Sequence, residues 1–488
     1  MKTSRFYSTI AALLVGMTFV SCGGGSGTQT AGGGIGGTGI SVGTITGFGS
    51  VFVNGVEFDT SDAFITVDGT PASESDLGIG MVVAVEGTFN KDGLTGKADR
   101  ITYEPLVRGP VDSIDLDEES LVVLGRTVST SDDTVFEGCN SEVCELETLA
   151  EGNIVEVSGF LSSDGIIRAT RIEFKSSVFI PGTTKLEITG IVDNLDEAAE
   201  TFTIGDQVVD FSGAELDLDE LPGGVLENGS LVEVESTEDL ADGVLVAGRV
   251  RGLESVLAEF AGFYVEMEGV VTEFTSPASF EVNGIPVVTN EATVYENGAP
   301  GDIAVDVRLE VEGSLDADGV LHATEIEFAI EGNVEIEADV QQEVDLENRT
   351  LVLLSITVVV DNQTVIWDNS AVGKQPFGLE DIEIGDRIVV IGNSEGNTVR
   401  AKRIERRNPE VLVAIKGPVT AVNADNLQIE IFGVTVVTTE ETEFLDSNEV
   451  PLSAEDFFAE VQIGSIVEVE GSLMDGNIIN AEEIESEN

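Results

Sequence analysis

The chain has 488 residues, of which 91 are acidic and 23 basic, for a formal charge of −68. Such a field repels a polyanion, and the Lys and Arg clusters that displace phosphate counterions are scarce, so no nucleic-acid partner is expected. With 42% hydrophobic residues the chain is too apolar for acidic disorder and is expected to fold.

Residues 1–21 read as an export signal. Lys2 and Arg5 give a positive start, Ile10 to Val20 is apolar, and Phe19-Val20-Ser21 leads into Cys22. At about 1.5 Å per residue the apolar run is too short for a hydrocarbon core of about 30 Å, so it reads as a cleaved segment. Its ending resembles the lipobox of bacterial lipoproteins, although Phe19 stands where that pattern has leucine. The resemblance implies that Cys22 is lipidated as the new N-terminus. With Gly23 following it, the resemblance also implies an outer-membrane location. Cys139 and Cys144 then remain, and in an oxidising compartment they are expected to form a disulfide. A zinc site would need two further ligands, and the single histidine, His322, is remote in sequence. Residues 22–39 form a Gly-rich tether with a reach on the order of 25 Å. Gly32, Gly34 and Gly37 formally match a dinucleotide fingerprint, but no strand precedes them and no helix follows.

Beyond the tether the chain repeats. Gly80–Gly87, Gly152–Gly159, Gly385–Gly392 and Gly464–Gly471 share a Gly-aliphatic-Gly block, with weaker copies at 229–236 and 306–313. Each is followed by a small residue and an aliphatic one three positions on: Ala98 and Ile101, Ala169 and Ile172, Ala247 and Val250, Ala323 and Ile326, Ala401 and Ile404, Ala481 and Ile484. Upstream, Gly43, Gly109, Gly190, Gly269 and Gly417 open a first strand. Gly55, Gly125, Gly205, Gly284 and Gly433 interrupt a second. The fifth copy has Ala338 and Ser355 at these two places, so a distorted barrel is expected there. Ser453 to Asp456, ahead of Phe457 and Phe458, reads as a capped short helix.

One unit is thus five strands with a short helix or loop after the third. Closure manages the edges of so small a sheet, which favours an OB-like barrel. The expected fold class is all-β: a tandem array of six small five-stranded OB-like β-barrels at residues 40–104, 105–180, 181–256, 257–331, 332–408 and 409–488, after the signal peptide and tether. The pattern resembles the domain-of-unknown-function family 5666, which recurs in tandem in bacterial lipoproteins; the resemblance implies an exported barrel repeat without an established activity. Each copy carries its own turns and strands, so residues 409–488 are expected to fold alone.

Candidate chemistry is sparse. Gly392-Asn-Ser394-Glu-Gly396 matches a nucleophile elbow, but it falls where the sibling copies have a hairpin, and His322 lies in another copy. Asp112, Asp115, Asp117, Glu118 and Glu119, and again Asp193, Asp196 and Glu197, crowd first-hairpin loops. Without EF-hand spacing they read as solvated turns. Ala401 to Arg407 concentrates bases on the fifth strand of copy five. These bases either dock an acidic neighbour or anionic polymer, or protect a sheet edge.

The sequence therefore points to a non-enzymatic, lipid-anchored outer-membrane protein, periplasmic or surface-facing, that displays or spaces a binding surface. It is expected to have no catalytic residues, no cofactor and no metal site, and to take an envelope protein or polysaccharide as partner. The alternatives are a lectin-like or calcium-dependent adhesion module, then a hydrolase with a carboxylate site. An exposed aromatic cluster would favour the lectin.

Overall fold

The chain is described by a computed structural model covering residues 37–486, except 92, 132, 140–143, 254–256, 258–259, 330–331, 375, 448–449 and 475–476. The expected signal peptide, Cys22 and most of the tether lie outside the described residues. The first strand already begins at Gly37, inside the expected tether, because Gly37–Gly39 pair with Gly87–Phe89.

Barrel 1 sets the pattern. Its five strands are Gly37–Gly47, Val51–Val53, Val56–Asp59, Val82–Phe89 and Thr95–Tyr103. The first pairs antiparallel with the second, the second with the third, the fifth with the fourth and the fourth with the first; the third and fifth run parallel. The circuit closes, which removes the edges. Inward residues such as Ile45, Val53, Phe58, Val85 and Ile101 are fully buried. A short strand, Phe64–Val67, adds to the fifth strand before a 3-10 turn at Glu74–Asp76. Barrels 2, 4 and 6 repeat the same closed circuit. Barrel 6 replaces the 3-10 turn with a helix, Ala454–Glu460, capped by Ser453 and anchored by buried Phe457 and Phe458.

The repeating glycines have physical causes. In the fourth strands of five barrels, Gly87, Gly159, Gly313, Gly392 and Gly471 each sit at a bulge. A Cβ there would lie 2.1 to 2.3 Å from a carbonyl of the fifth strand. Barrel 3 has Ser236 at this place. Its hydroxyl donates to Val246 O at 2.6 Å, and the fifth strand splits into Leu245–Val246 and Arg249–Gly252. The first-strand glycines make room for the hairpin residue of the next turn: Asn54 on Gly43, Leu124 on Gly109, Asn283 on Gly269 and Phe432 on Gly417. In barrel 5 the Ala338 methyl fills that space. Among the described residues its first strand, Val334–Asp339, makes no ladder with its second, Thr350–Leu353.

Sequential neighbours are not always spatial partners. The first strand of barrel 1 pairs parallel with that of barrel 4, Gly39–Val42 with Tyr264–Met267. Barrels 2 and 3 join antiparallel through Val107–Arg108 and Glu187–Ile188, and barrels 5 and 6 through Glu335–Glu337 and Ala414–Lys416. Barrels 2 and 3 share one apolar core, as do barrels 5 and 6. Ile40 of barrel 1 enters the core of barrel 4, while Trp367 of barrel 5 and Val135 of barrel 2 enter that of barrel 1. The self-contained units expected from the repeats are therefore fused. Docking buries the faces that a lone barrel would expose.

Two outcomes follow. Gly471→Ala should cost about 1–3 kcal/mol, because a methyl must displace backbone, whereas Gly213→Ala, with nothing within 4 Å of its Cβ position, should be near neutral. Equal denaturation midpoints for the two variants would refute the bulge explanation. A fragment of residues 332–488 should give a dispersed amide spectrum and a cooperative melt. Residues 409–488 alone, stripped of half of their core, should not; a cooperative melt from the shorter fragment would show that the shared core is dispensable.

Candidate functional site

Where barrels 1, 2, 4 and 5 meet, they enclose a cavity of about 510 Å3. Barrel 5 supplies Arg400, Lys402 and Arg403 from its fifth strand, Thr398–Arg407, and barrel 2 supplies Asp133. That strand is no edge, being paired on both sides. Its bases instead dock acids of barrel 2: Lys402 Nζ lies 2.7 Å from Asp133 Oδ2 and Arg407 Nη2 3.8 Å from Glu145 Oε1. Arg403 covers the ring of Trp367 at 4.3 Å and pairs with Glu405. Of the two readings of this basic segment, the structure shows docking to an acidic neighbour.

The opposite wall is a grid of glutamates on barrel 4. Glu266 and Glu268 on the first strand stand across from Glu312 and Glu310 on the fourth. Glu310 and Glu312 stand across from Glu327 and Glu325 on the fifth, and Glu296 pairs with Glu327. Like charges directly opposite repel. Arg308 answers part of this, bonding Glu268 Oε1 at 2.8 Å through Nε. The Tyr264 hydroxyl donates to Glu312 Oε2 at 2.6 Å. Burial, then neighbouring carboxylates, hold Glu266 and Glu310 well above the usual carboxylate range, and the same causes push Glu325 up to about 7.

A second charged junction lies among barrels 1, 2 and 3. Arg108 Nη1 reaches Asp68 Oδ2 at 3.0 Å, and its Nε donates to Glu156 Oε2 at 2.7 Å. Lys185 Nζ sits 3.1 Å from Glu187 Oε2 and 2.7 Å from Glu235 Oε1, and also pairs with Asp68. Arg251 spans Glu104 Oε2, at 3.1 Å, and Glu233. Glu187 is fully buried, and neither of its oxygens accepts a hydrogen bond. Burial and the Asp68 charge raise its pKa against the pull of Lys185.

Of the residues singled out in sequence, Cys22 lies outside the described residues. Cys139 and Cys144 are disulfide-bonded, with Cα atoms 5.3 Å apart. Ser394 sits in an extended strand, where its N–H donates to Asn333 Oδ1 at 3.0 Å and its hydroxyl lies 3.3 Å from Asn333 Nδ2. His322 is exposed and pairs with Asp316 at 2.8 Å. The acidic loops are used by their own turns: Asp112 accepts the Gly125 N–H, Asp115 that of Glu118, and Asp196 those of Ala198 and Ala199. The glutamate grid and the buried junction carried no motif. Their trace in sequence is the Glu-x-Glu alternation at Glu233 and Glu235, Glu310 and Glu312, and Glu325 and Glu327.

Five-stranded circuits, closed in barrels 1, 2, 4 and 6, with a parallel third-to-fifth ladder in all six units, define an array of OB-like barrels. The chain belongs to the family described as Domain of unknown function (DUF5666), whose model matches residues 41–102, 108–173, 189–251, 268–327, 337–405 and 416–485. No curated protein matches the chain. A solved structure described as drosophila Unr CSD456 is similar at 13% identity, over 43% of this chain and 91% of that one, with a TM-score of 0.12. At that score the likeness bears on neither fold nor function.

The glutamate grid sets a pH dependence. Within it, burial and neighbouring carboxylates raise Glu266, Glu310 and Glu325, and burial raises Glu327, above the unfolded value near pKa 4.3. Their folded values are raised, so the stability is fully present below about pH 4 and is lost as the pH passes the folded values, about 7 for Glu325. The melting temperature should therefore fall between pH 5 and pH 8, and it should fall less in Glu325→Gln. Parallel profiles for wild type and variant would contradict this.

Proposed function

We propose that the protein is a non-enzymatic, lipid-anchored component of the cell envelope, held at the outer membrane through Cys22, whose fused OB-like barrels present a rigid binding surface to an envelope protein or polysaccharide. The observation that carries this reading is the fusion itself. Shared first-strand ladders and merged cores fuse the six small barrels in three pairs, which suits a scaffold. No helix among the described residues is long and apolar enough to cross a membrane, so among those residues no helix offers an alternative to the acyl chain as the anchor.

The aromatic inventory supports a scaffold over a lectin. Trp367 and Tyr103 are buried, Phe58, Phe89 and Tyr264 pack edge to face, and Phe64, half exposed, sits beside Arg100. Trp367, Tyr103, Phe58, Phe89 and Tyr264 are thus used in packing, and the exposed rings Phe64, Phe263 and Phe274 are all phenylalanine, where a sugar-binding face would present Trp or Tyr to solvent. A non-catalytic role is supported by Ser394, held in a strand by Asn333, and by His322, paired with Asp316.

The anchor is tested by growing cells with a fatty-acid analogue. Wild type should be labelled and recovered with outer membranes, and Cys22→Ser should be unlabelled and either soluble or retained as precursor. Equal labelling of both would remove the anchor from the reading.

A further inference from the structure

The junction of barrels 1, 2 and 3 holds more carboxylates than it can balance. Asp68, Glu104, Glu156, Glu187, Glu233 and Glu235 meet three cations, Arg108, Lys185 and Arg251. Counting Lys175 together with its partner Glu173 leaves the excess unchanged. Two triads overlap at Glu187: oxygens of Asp68, Glu187 and Glu235 lie within 4.8 Å of one another, and so do oxygens of Glu104, Glu187 and Glu233. The first triad contains its own cation, since the Lys185 ammonium is paired with all three of its members. In the second, Arg251 joins Glu104 to Glu233 but forms no ion pair with Glu187. Glu187 is fully buried, and its Oε1 has no donor within reach. Its ion pair with Lys185, on Oε2, leaves Oε1 buried without a hydrogen bond, and a buried polar atom left so costs free energy.

We propose that Glu104, Glu187 and Glu233 bind a divalent cation, calcium, which clips barrel 3 to the end of barrel 1. The donors are hard oxygens, the set that calcium and magnesium take. Two come from paired strands of barrel 3 and one from the link between barrels 1 and 2, an irregular set that suits calcium better than the strict octahedron magnesium demands. The ion would supply charge that the three cations do not, and Glu187 Oε1 would gain its partner. This site is distinct from the exposed acidic loops, whose carboxylates accept hydrogen bonds from their own turns. It also revises the expectation that the chain has no metal site, because Glu104 meets the two barrel 3 glutamates only through docking. It does not depend on the lipid anchor or on the envelope partner.

The test uses the full chain stripped with a chelator. Calcium should bind by calorimetry at one strong site. It should also raise the melting temperature beyond sodium chloride or magnesium chloride at matched ionic strength. Glu187→Gln, which is isosteric, should weaken that binding by about tenfold or more and abolish the calcium-specific rise. Asp115→Asn, on an exposed loop, should leave both unchanged. If Glu187→Gln fails to fold by circular dichroism, Glu104→Gln, on the partly exposed link, replaces it. Absence of a calcium-specific rise in wild type, an equal response to magnesium, or an undiminished response in the Gln variant would each overturn the proposal.

Discussion

Everything in this molecule depends on what one strand is asked to do twice. In every barrel but the fifth, the first strand gives one edge to the fourth strand and divides the other edge between two partners. Its early residues pair with the first strand of another barrel, and its later residues pair with its own second strand. In barrel 1 the change falls between Val42, paired with Met267, and Ile45, paired with Val53. In barrel 6 it falls between Lys416, paired with Glu335, and Val419, paired with Ile431. Gly43 and Gly417 occupy the change of partner, where the incoming hairpin residue lies in the space of a Cβ. Barrel 5 shows the converse. With Ala338 at that place, the strand keeps its neighbour, barrel 6, and loses its own second strand.

Sharing the first strand forces outer faces together, and in so acidic a chain those faces carry glutamate. A barrel alone would leave such positions in water. Docked, Glu156, Glu187, Glu233, Glu266 and Glu405 are at least nine-tenths buried. The few cations are placed accordingly. Arg108, Lys185 and Arg251 serve one junction, and Arg308, Lys402 and Arg407 serve the others. Where cations run short, as on the barrel 4 grid, burial and like charge push Glu266, Glu310 and Glu325 toward the neutral form, which is the other way to bury an acid.

The barrel itself was legible because its signals are local. Asn-Gly turns, bulge glycines and the closing Ala-x-x-Ile step each act within one unit, and the structure gives the bulge glycines a steric cause. Ser453 and the two phenylalanines after it marked the one α-helix among the described residues for the same reason. Which barrels pair was not legible. No residue near Gly39 signals that it will meet Tyr264, since the choice is made by matching whole faces. The basic run Ala401–Arg407 was visible as a patch with two readings, and only the position of Asp133 separates them. Glu187 looked like any other acid because its exceptional feature, burial without a hydrogen-bond donor, is created by residues from other barrels.

The three ladders between barrels differ in a way that constrains assembly. Barrels 2 and 3, and barrels 5 and 6, are consecutive and antiparallel, so short connections suffice. Barrels 1 and 4 run parallel, and parallel strands need a long crossover. Here the crossover is two whole barrels, residues 105–256, already fused to each other. Closing so long a loop costs more chain entropy than joining neighbours, although the cost grows slowly with length. Side chains crossing the interface offset that cost: Ile40 inserts into the core of barrel 4, and Tyr264 packs its ring at 5.1 Å against Phe89. Barrels 2 and 3 therefore serve as a linker whose stiffness positions barrel 4. The cavity wall built by Glu268, Glu310 and Glu327 rests on that positioning, as does the face that meets the basic strand of barrel 5.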